Sequence, residues 1–376
     1  MSLCGASFVS YISTVFVPNG PLFIDLLYKS PYNTIYIVNY AHYMRGKREG
    51  KMKTFFTVLF ITAAVVILVC IIFRGETPDK PKKNIKSDNP AILPYGKTGV
   101  LAHRSGAGLA PENTLLAFQN MIKNRDKFEL EGFEFDLHLT KDGQIIVLHD
   151  DTLDRTSDSE EYFGKSGVLP CDLSFEELRK LNMGEKFVLP DGSIPYEGLR
   201  GDKIPDSLRI IRLSDVFDFL APYGDYTFTV DIKNDGDIGY RTADELHRLL
   251  VKYNMLSRTA VASFHKSNIR YLDEKYPDIT RSATIHEVVR FYFQSFFHIP
   301  YKQGHFKFKY LHIPYKDYFF NLGTTRLINY AHSYDIAVQY WTINDPKIMK
   351  RLEKNGADAV FTDLPDLAYE TLNDIK

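Results

Sequence analysis

From residue 99 onward, short apolar runs of strand length alternate with longer segments in which apolar residues recur every three or four positions. The strand-like runs are GVLAH (99–103), FEFDLHL (133–139), QIIVLHD (144–150), YTFTVDIK (226–233), TAVASF (259–264), YLHIP (310–314), IAVQYWTI (336–343) and ADAVFTD (357–363). Between them, TLLAFQNMIK, SFEELRKL, SDVFDFLAPY, ADELHRLLVKY, SNIRYLDEKY, a stretch over 324–334 and PKIMKRLEKNG carry helical spacing. Repeated βα units over about 280 residues predict a parallel sheet covered by helices, and that length fits an α/β protein of the (β/α)8 TIM-barrel class. A doubly wound open sheet is the competing arrangement. Residues 151–213 are too long for one βα connection and read as an insertion after the third strand.

Upstream the pattern changes. Residues 55–73, FFTVLFITAAVVILVCIIF, carry no charge and end between Lys53 and Arg74. A helix of that length spans roughly the 30 Å hydrocarbon core, so a transmembrane helix is predicted over 54–74. Residues 1–53 hold apolar stretches too short or too polar to span, which suit the membrane interface. Residues 75–93, charged and proline-containing, read as a linker, and 94–376 as the folded domain. Basic residues flank the span on both sides, more densely before it, which favours a single-pass arrangement with the folded domain on the lumenal or outer side. Residues 291–314, rich in aromatics with Lys302, Lys307 and Lys309, are a further segment expected at a membrane surface.

Composition narrows the functions. A formal net charge of −1 and the lack of a basic stripe argue against a nucleic-acid partner. One cysteine, Cys171, follows residue 90, so no disulfide forms within the domain. No nucleotide-binding glycine loop and no nucleophile elbow is present.

Polar residues recur at strand ends, where a barrel gathers its active site. His103 and Arg104 end the first strand, His149 and Asp150 the third, Asp231 and Lys233 the fourth, and Trp341 and Thr342 a later one. Glu134 and Asp136, two apart on a strand, share a face and can chelate one hard cation, with Asp231 as a third oxygen donor; Mg2+ or Ca2+ suits such a site better than zinc. Two histidines beside a cation and a lysine suggest acid–base chemistry on a phosphoester. His138 shares the parity of the two acids but lies beyond them, and is assigned only a packing or supporting role.

LAHRSGAGLAPENTLLAF, FEFDLHLTKDGQIIVLHDDTLDRTS, VDIK, WTIND and GADAVFTDLP, in this order over about 97–370, resemble the glycerophosphodiester phosphodiesterase family. The resemblance implies a metal-dependent (β/α)8 phosphodiester hydrolase. It makes His103 and His149 the acid–base pair, Glu134, Asp136 and Asp231 the ligands of one divalent cation, Arg104 and Lys233 phosphate contacts, and Trp341 part of the substrate cleft. It also implies that 151–213 overhangs the site. The usual His-Arg-Gly is here His103-Arg104-Ser105, so Ser105 could lend a hydroxyl, and Asp231 replaces a more common Glu. With its N-terminal span, the chain resembles the membrane-bound lysophospholipase D branch, which acts on lysophospholipids. Water-soluble glycerophosphodiesters are the alternative substrates, and a non-catalytic lipid-binding module is the alternative of another class.

Overall fold

The computed structural model describes residues 10–15, 23–30, 33–34, 55–65, 80–83, 85–317 and 320–374. The chain divides into two compact units, Met1–Ile72 and Phe73–Lys376. In the first, Ser10–Val15 pairs antiparallel with Phe23–Ser30, which pairs with Asn33–Thr34. A helix covers 55–65; the rest of the predicted 54–74 helix lies outside the described residues, among which no helix is long and apolar enough to cross a membrane.

The second unit holds eight parallel strands: β1 (Gly99–Ala102), β2 (Leu130–Leu139), β3 (Thr227–Ile232), β4 (Thr259–Ala262), β5 (Thr280–Arg281), β6 (Tyr310–Pro314), β7 (Ala337–Trp341) and β8 (Ala359–Thr362). Neighbours pair in sequence order, β8 pairs with β1, and a single parallel bridge from Ser282 to Tyr310 joins the β5 side to β6. The sheet is a near-closed (β/α)8 barrel, not an open doubly wound sheet. The covering helices are α1 (Leu115–Lys123), α2 (Leu213–Leu220), α3 (Gly236–Lys252), α4 (Lys266–Lys275), α5 (Ile285–Phe296), α6 (Thr325–His332), α7 (Pro346–Asn355) and α8 (Pro365–Leu372).

Strand β2 shows how the pattern becomes architecture. Phe133, Phe135 and Leu137 bury completely in the layer between sheet and helices, beside Phe118 of α1 and Phe217 of α2. Each such side chain contributes roughly 1.5–3 kcal/mol. The alternate residues Glu134, Asp136 and His138 therefore take the other face, toward the barrel axis. Gly132 lets β2 approach β3, because a Cβ there would lie 2.0 Å from the Thr227 carbonyl oxygen.

Three expectations change. QIIVLHD is not a barrel strand: Ile145–Val147 folds back antiparallel on Leu137–Leu139. The Lys141-Asp142-Gly143 turn is too short for the crossover that parallel strands require. The insertion therefore follows a hairpin on the second barrel strand, and it packs its own small core from Leu153, Val168, Phe175, Leu178, Leu181 and Met183. The predicted linker is built into the barrel from Lys80 on. Lys82 N donates to Asn329 Oδ1 at 3.0 Å, buried Asn89 donates to the carbonyls of Lys309 and Asp335 at 3.0 and 3.1 Å, and Leu93 N donates to Asp358 at 3.1 Å. The 291–314 segment splits, with Phe291, Tyr292 and Phe308 in the core while Phe297 and Ile299 stay exposed.

Candidate active site

At the end of β1 the chain turns sharply over His103–Ser105, with Arg104 at φ 48° and Ser105 at φ 63°, both left-handed. Two adjacent non-glycine residues there cost on the order of 1–3 kcal/mol each. The turn aims the Arg104 backbone N–H at Glu134 Oε2, 3.0 Å away. It also places His103 Nδ1 2.6 Å from Asp363 Oδ1, at the end of β8. His103 Nε2 then faces Thr342 Oγ1 at 3.4 Å and Glu134 Oε2 at 3.8 Å. Burial works against the imidazolium, but the charges of Glu134 and Asp363 outweigh it and raise the His103 pKa. Ser105 is fully buried, and its Oγ has no hydrogen-bond partner among the described residues.

Glu134 and Asp136 are both buried, and Asp136 stands opposite Asp231 in the β2–β3 register. Lys233 lies 2.9 Å from Asp136 Oδ1 and 2.7 Å from Asp231 Oδ2, so its ammonium ties the two acids together. Burial raises the Glu134 pKa, and the neighbouring Asp136 charge raises it further. Asp136 is also penalised by burial, yet Lys233, His149 and Arg104 pull its pKa down. Lys233 overcomes its own burial through the two carboxylates and is held well above its ordinary pKa.

Beyond the hairpin, His149 Nδ1 lies 2.6 Å from Asp150 Oδ1. Arg155 Nε donates to Asp150 Oδ2 at 2.6 Å, and its terminal nitrogens donate to Glu112 at 2.6 and 2.9 Å. Glu112 also accepts from Arg104 at 3.2 Å. One hydrogen-bonded chain therefore runs from His149 to Arg104. Trp341 and the exposed Phe264 meet edge to face at 6.2 Å, and Lys233 Nζ lies 5.7 Å from the Phe264 ring centre.

Among the described residues no three His, Cys, Asp or Glu side chains form a ready metal cage. The donor chemistry nonetheless fits a hard cation. Asp231 Oδ1 is buried without a hydrogen-bond partner, and Glu134 has its raised pKa beside a second carboxylate.

The structure brings His103, Arg104, Glu134, Asp136, Asp231 and Lys233 together at the C-terminal ends of β1–β3, with the His149 hairpin beside them. It gives Lys233 to two carboxylates instead of leaving it free for phosphate. His138 is packing: it is buried, and its Nδ1 accepts from Asn234 at 3.2 Å. Burial lowers its pKa to about 4, so it is neutral. Glu112, Arg155 and Asp363 were given no role on sequence grounds. Asp363 sits in the strand-end run VFTD and could have been found by the rule that flagged His103. Glu112 and Arg155 lie in loops, and only the fold joins them.

The sequence profile of the glycerophosphoryl diester phosphodiesterase family matches residues 103–367. The chain belongs to this family. It is accordingly a phosphoric diester hydrolase of glycerophosphodiesters. A glycerophosphodiester phosphodiesterase of Caldanaerobacter subterraneus is 28% identical over 272 residues, covering 72% of this chain and 96% of that protein. Mouse glycerophosphodiester phosphodiesterase 1 is 42% identical over 144 residues, 37% of this chain and 38% of that one. An Oleispira antarctica phosphodiesterase, solved with the product sn-glycerol-3-phosphate, shares the fold at TM-score 0.54 and 21% identity, covering 73% of this chain and 96% of that one. The Agrobacterium tumefaciens glycerophosphodiester phosphodiesterase does so at TM-score 0.53 and 18% identity, covering 73% and 99%.

Proposed function

We propose that this chain is a membrane-tethered hydrolase of lysophospholipids, of the lysophospholipase D type, with His103 and His149 as its acid–base pair. One observation carries the chemistry: each histidine has a carboxylate at 2.6 Å from Nδ1, Asp363 for one and Asp150 for the other. That arrangement fixes the tautomer and leaves Nε2 to exchange protons with substrate.

The substrate's own hydroxyl, next to the phosphodiester on the glycerol, attacks phosphorus while one histidine takes its proton. The bond from phosphorus to the headgroup oxygen breaks, and the other histidine protonates the departing alcohol. Water then opens the cyclic phosphate with the two roles exchanged, leaving lysophosphatidic acid. No protein nucleophile is needed. Arg104 faces the developing charge on the phosphoryl oxygens, and Lys233, beside Asp136 and Asp231, adds a second positive charge to the site. Glu134, Asp136 and Asp231 would hold that cation, Mg2+ or Ca2+, which supplies positive charge for phosphoryl oxygens. The unpartnered Asp231 oxygen supports this assignment.

Support for a lipid substrate comes from Phe264, 59% exposed beside Trp341 at the cleft. Support for a single span comes from the uncharged run 55–73, whose described helix over 55–65 leaves Phe60 76% exposed. On the balance of flanking basic residues, the barrel lies on the lumenal or outer side. The second reading, action on water-soluble glycerophosphodiesters, is favoured by the names of the full-length relatives. Turnover of lysophosphatidylcholine and glycerophosphocholine by one preparation separates the two. A higher kcat/KM for the lysophospholipid is expected; an equal or higher value for glycerophosphocholine overturns the lipid assignment.

A further inference from the structure

We propose that the outer face of α5 and the loop after it rest on the surface of a phospholipid bilayer, laying the barrel side-on with its catalytic mouth beside the membrane. This rests on the single-span reading and extends it to the folded unit.

Helix α5 buries Phe291, Tyr292, Gln294 and Ser295. Its other side shows Ile285 at 55% exposure, Val289 at 46% and Phe293 at 36%, and the line continues through Phe297 at 65% and Ile299 at 38%. Spacing by four stacks the first four of these one above another, with a drift of roughly 40° per step, and Ile299 follows in the loop. Single exposed apolar residues are ordinary, but a continuous line of five marks a contact surface. Phe293 packs on Phe320 at 6.0 Å and still keeps a third of its surface outside.

Charge identifies the occupant. Between 285 and 309 the only acidic residue is Glu287, while Arg290, Lys302, Lys307 and Lys309 are basic. Glu287 is spent internally, accepting from Arg281 at 2.9 and 3.0 Å and capping Thr284. The outer face therefore offers apolar side chains beside Arg290, Lys302 and Lys309, while Lys307 is matched by Asp273 of α4 at 3.8 Å; the excess of cations suits anionic headgroups over acyl chains.

The described chain enters the folded unit next to this face. Asn329 of α6 accepts from Lys82 N and donates to the Lys80 carbonyl at 2.9 Å, so the chain joins the barrel on α6. Helix α6 lies against α5 and its loop: Arg326 stacks on Phe296 at 4.6 Å, and Tyr330 Oη donates to the Ile299 carbonyl at 2.7 Å. Six residues, Arg74 to Asp79, separate the apolar run from Lys80. Ile285 follows β5 at the catalytic end, so the apolar line begins beside the mouth.

The test uses the full chain in nanodiscs containing phosphatidylserine, with Phe297→Trp; Trp341, the only native tryptophan, serves as reference. Acyl-brominated lipid should quench the added fluorescence of Phe297→Trp at least about twofold more than that of Trp341. A chain that fails to enter the discs overturns the single span and this proposal with it. A chain that enters while Phe297→Trp escapes quenching overturns the α5 contact alone. Shielding of that tryptophan from acrylamide without lipid quenching means a second protein covers the face, and also overturns it. As a second readout, Phe297→Glu should lower turnover of vesicle-held lysophosphatidylcholine about tenfold while sparing glycerophosphocholine. Equal turnover of both substrates by this variant and the parent counts against the proposal.

Discussion

Asp363, at the end of the last barrel strand, holds the imidazole of His103, at the end of the first, through a 2.6 Å hydrogen bond to Nδ1. Asn344 fixes the carboxylate in turn, donating to Asp363 Oδ2 at 2.7 Å and accepting from the Asp363 N–H at 3.0 Å. Asp363→Asn keeps the shape but offers an amide where the ring needs an acceptor. It should lower kcat by about 10²-fold or more with little change in KM. Steady-state kinetics on glycerophosphocholine checks this, and a kcat near the parent value would remove Asp363 from the account.

Arg155 is the joint between His149's partner Asp150 and Arg104's partner Glu112. Shortening it frees both carboxylates at once. Arg155→Ala should cost about 10²-fold in kcat through misplacement of groups it never exchanges with substrate. Added guanidinium should restore part of that loss, whereas a general loss of folding would not respond to it.

Lys233 neutralises two buried acids. Lys233→Met leaves Asp136 and Asp231 facing each other without a cation and should destabilise the barrel by roughly 3–5 kcal/mol. Thermal unfolding measures this, and Mg2+ or Ca2+ should recover more stability in the variant than in the parent.

His312 on β6 has both ring nitrogens buried next to Gln339 of β7, and its ring meets Phe361 edge-on at 5.2 Å. Burial lowers its pKa from 6.5 to about 3. Between those values the unfolded chain binds the proton and the folded chain does not, so stability falls as pH drops from about 6.5 toward 3. The loss is on the order of a few kcal/mol. His312→Phe should flatten the acid limb of a denaturant-midpoint-versus-pH curve; an unchanged slope would show that His312 is not the group responsible.

The barrel was legible because its signals are local. Strand alternation in FEFDLHL put Phe133 and Phe135 on one face and Glu134 and Asp136 on the other, and the structure keeps that division. Strand-end position singled out His103, Arg104, Asp231 and Lys233, which the structure gathers at the C-terminal ends of β1 and β3. Direction was not legible for QIIVLHD, whose composition suits either ladder; the length of the preceding turn decides it. The Arg155–Glu112 contact joins residues 43 apart in sequence, and neither pattern nor spacing announces it. The 291–314 segment was legible only in part, because aromatic residues mark core and contact surface alike, and only burial separates Phe291 from Phe297.

The central claim is that two separately oriented histidines share the proton transfers. Turnover of glycerophosphocholine and lysophosphatidylcholine by purified His103→Ala and His149→Ala tests it most directly, with thermal unfolding followed in parallel. Each variant should lose at least about 10²-fold in kcat while unfolding close to the parent temperature. Full turnover by either folded variant would contradict the account.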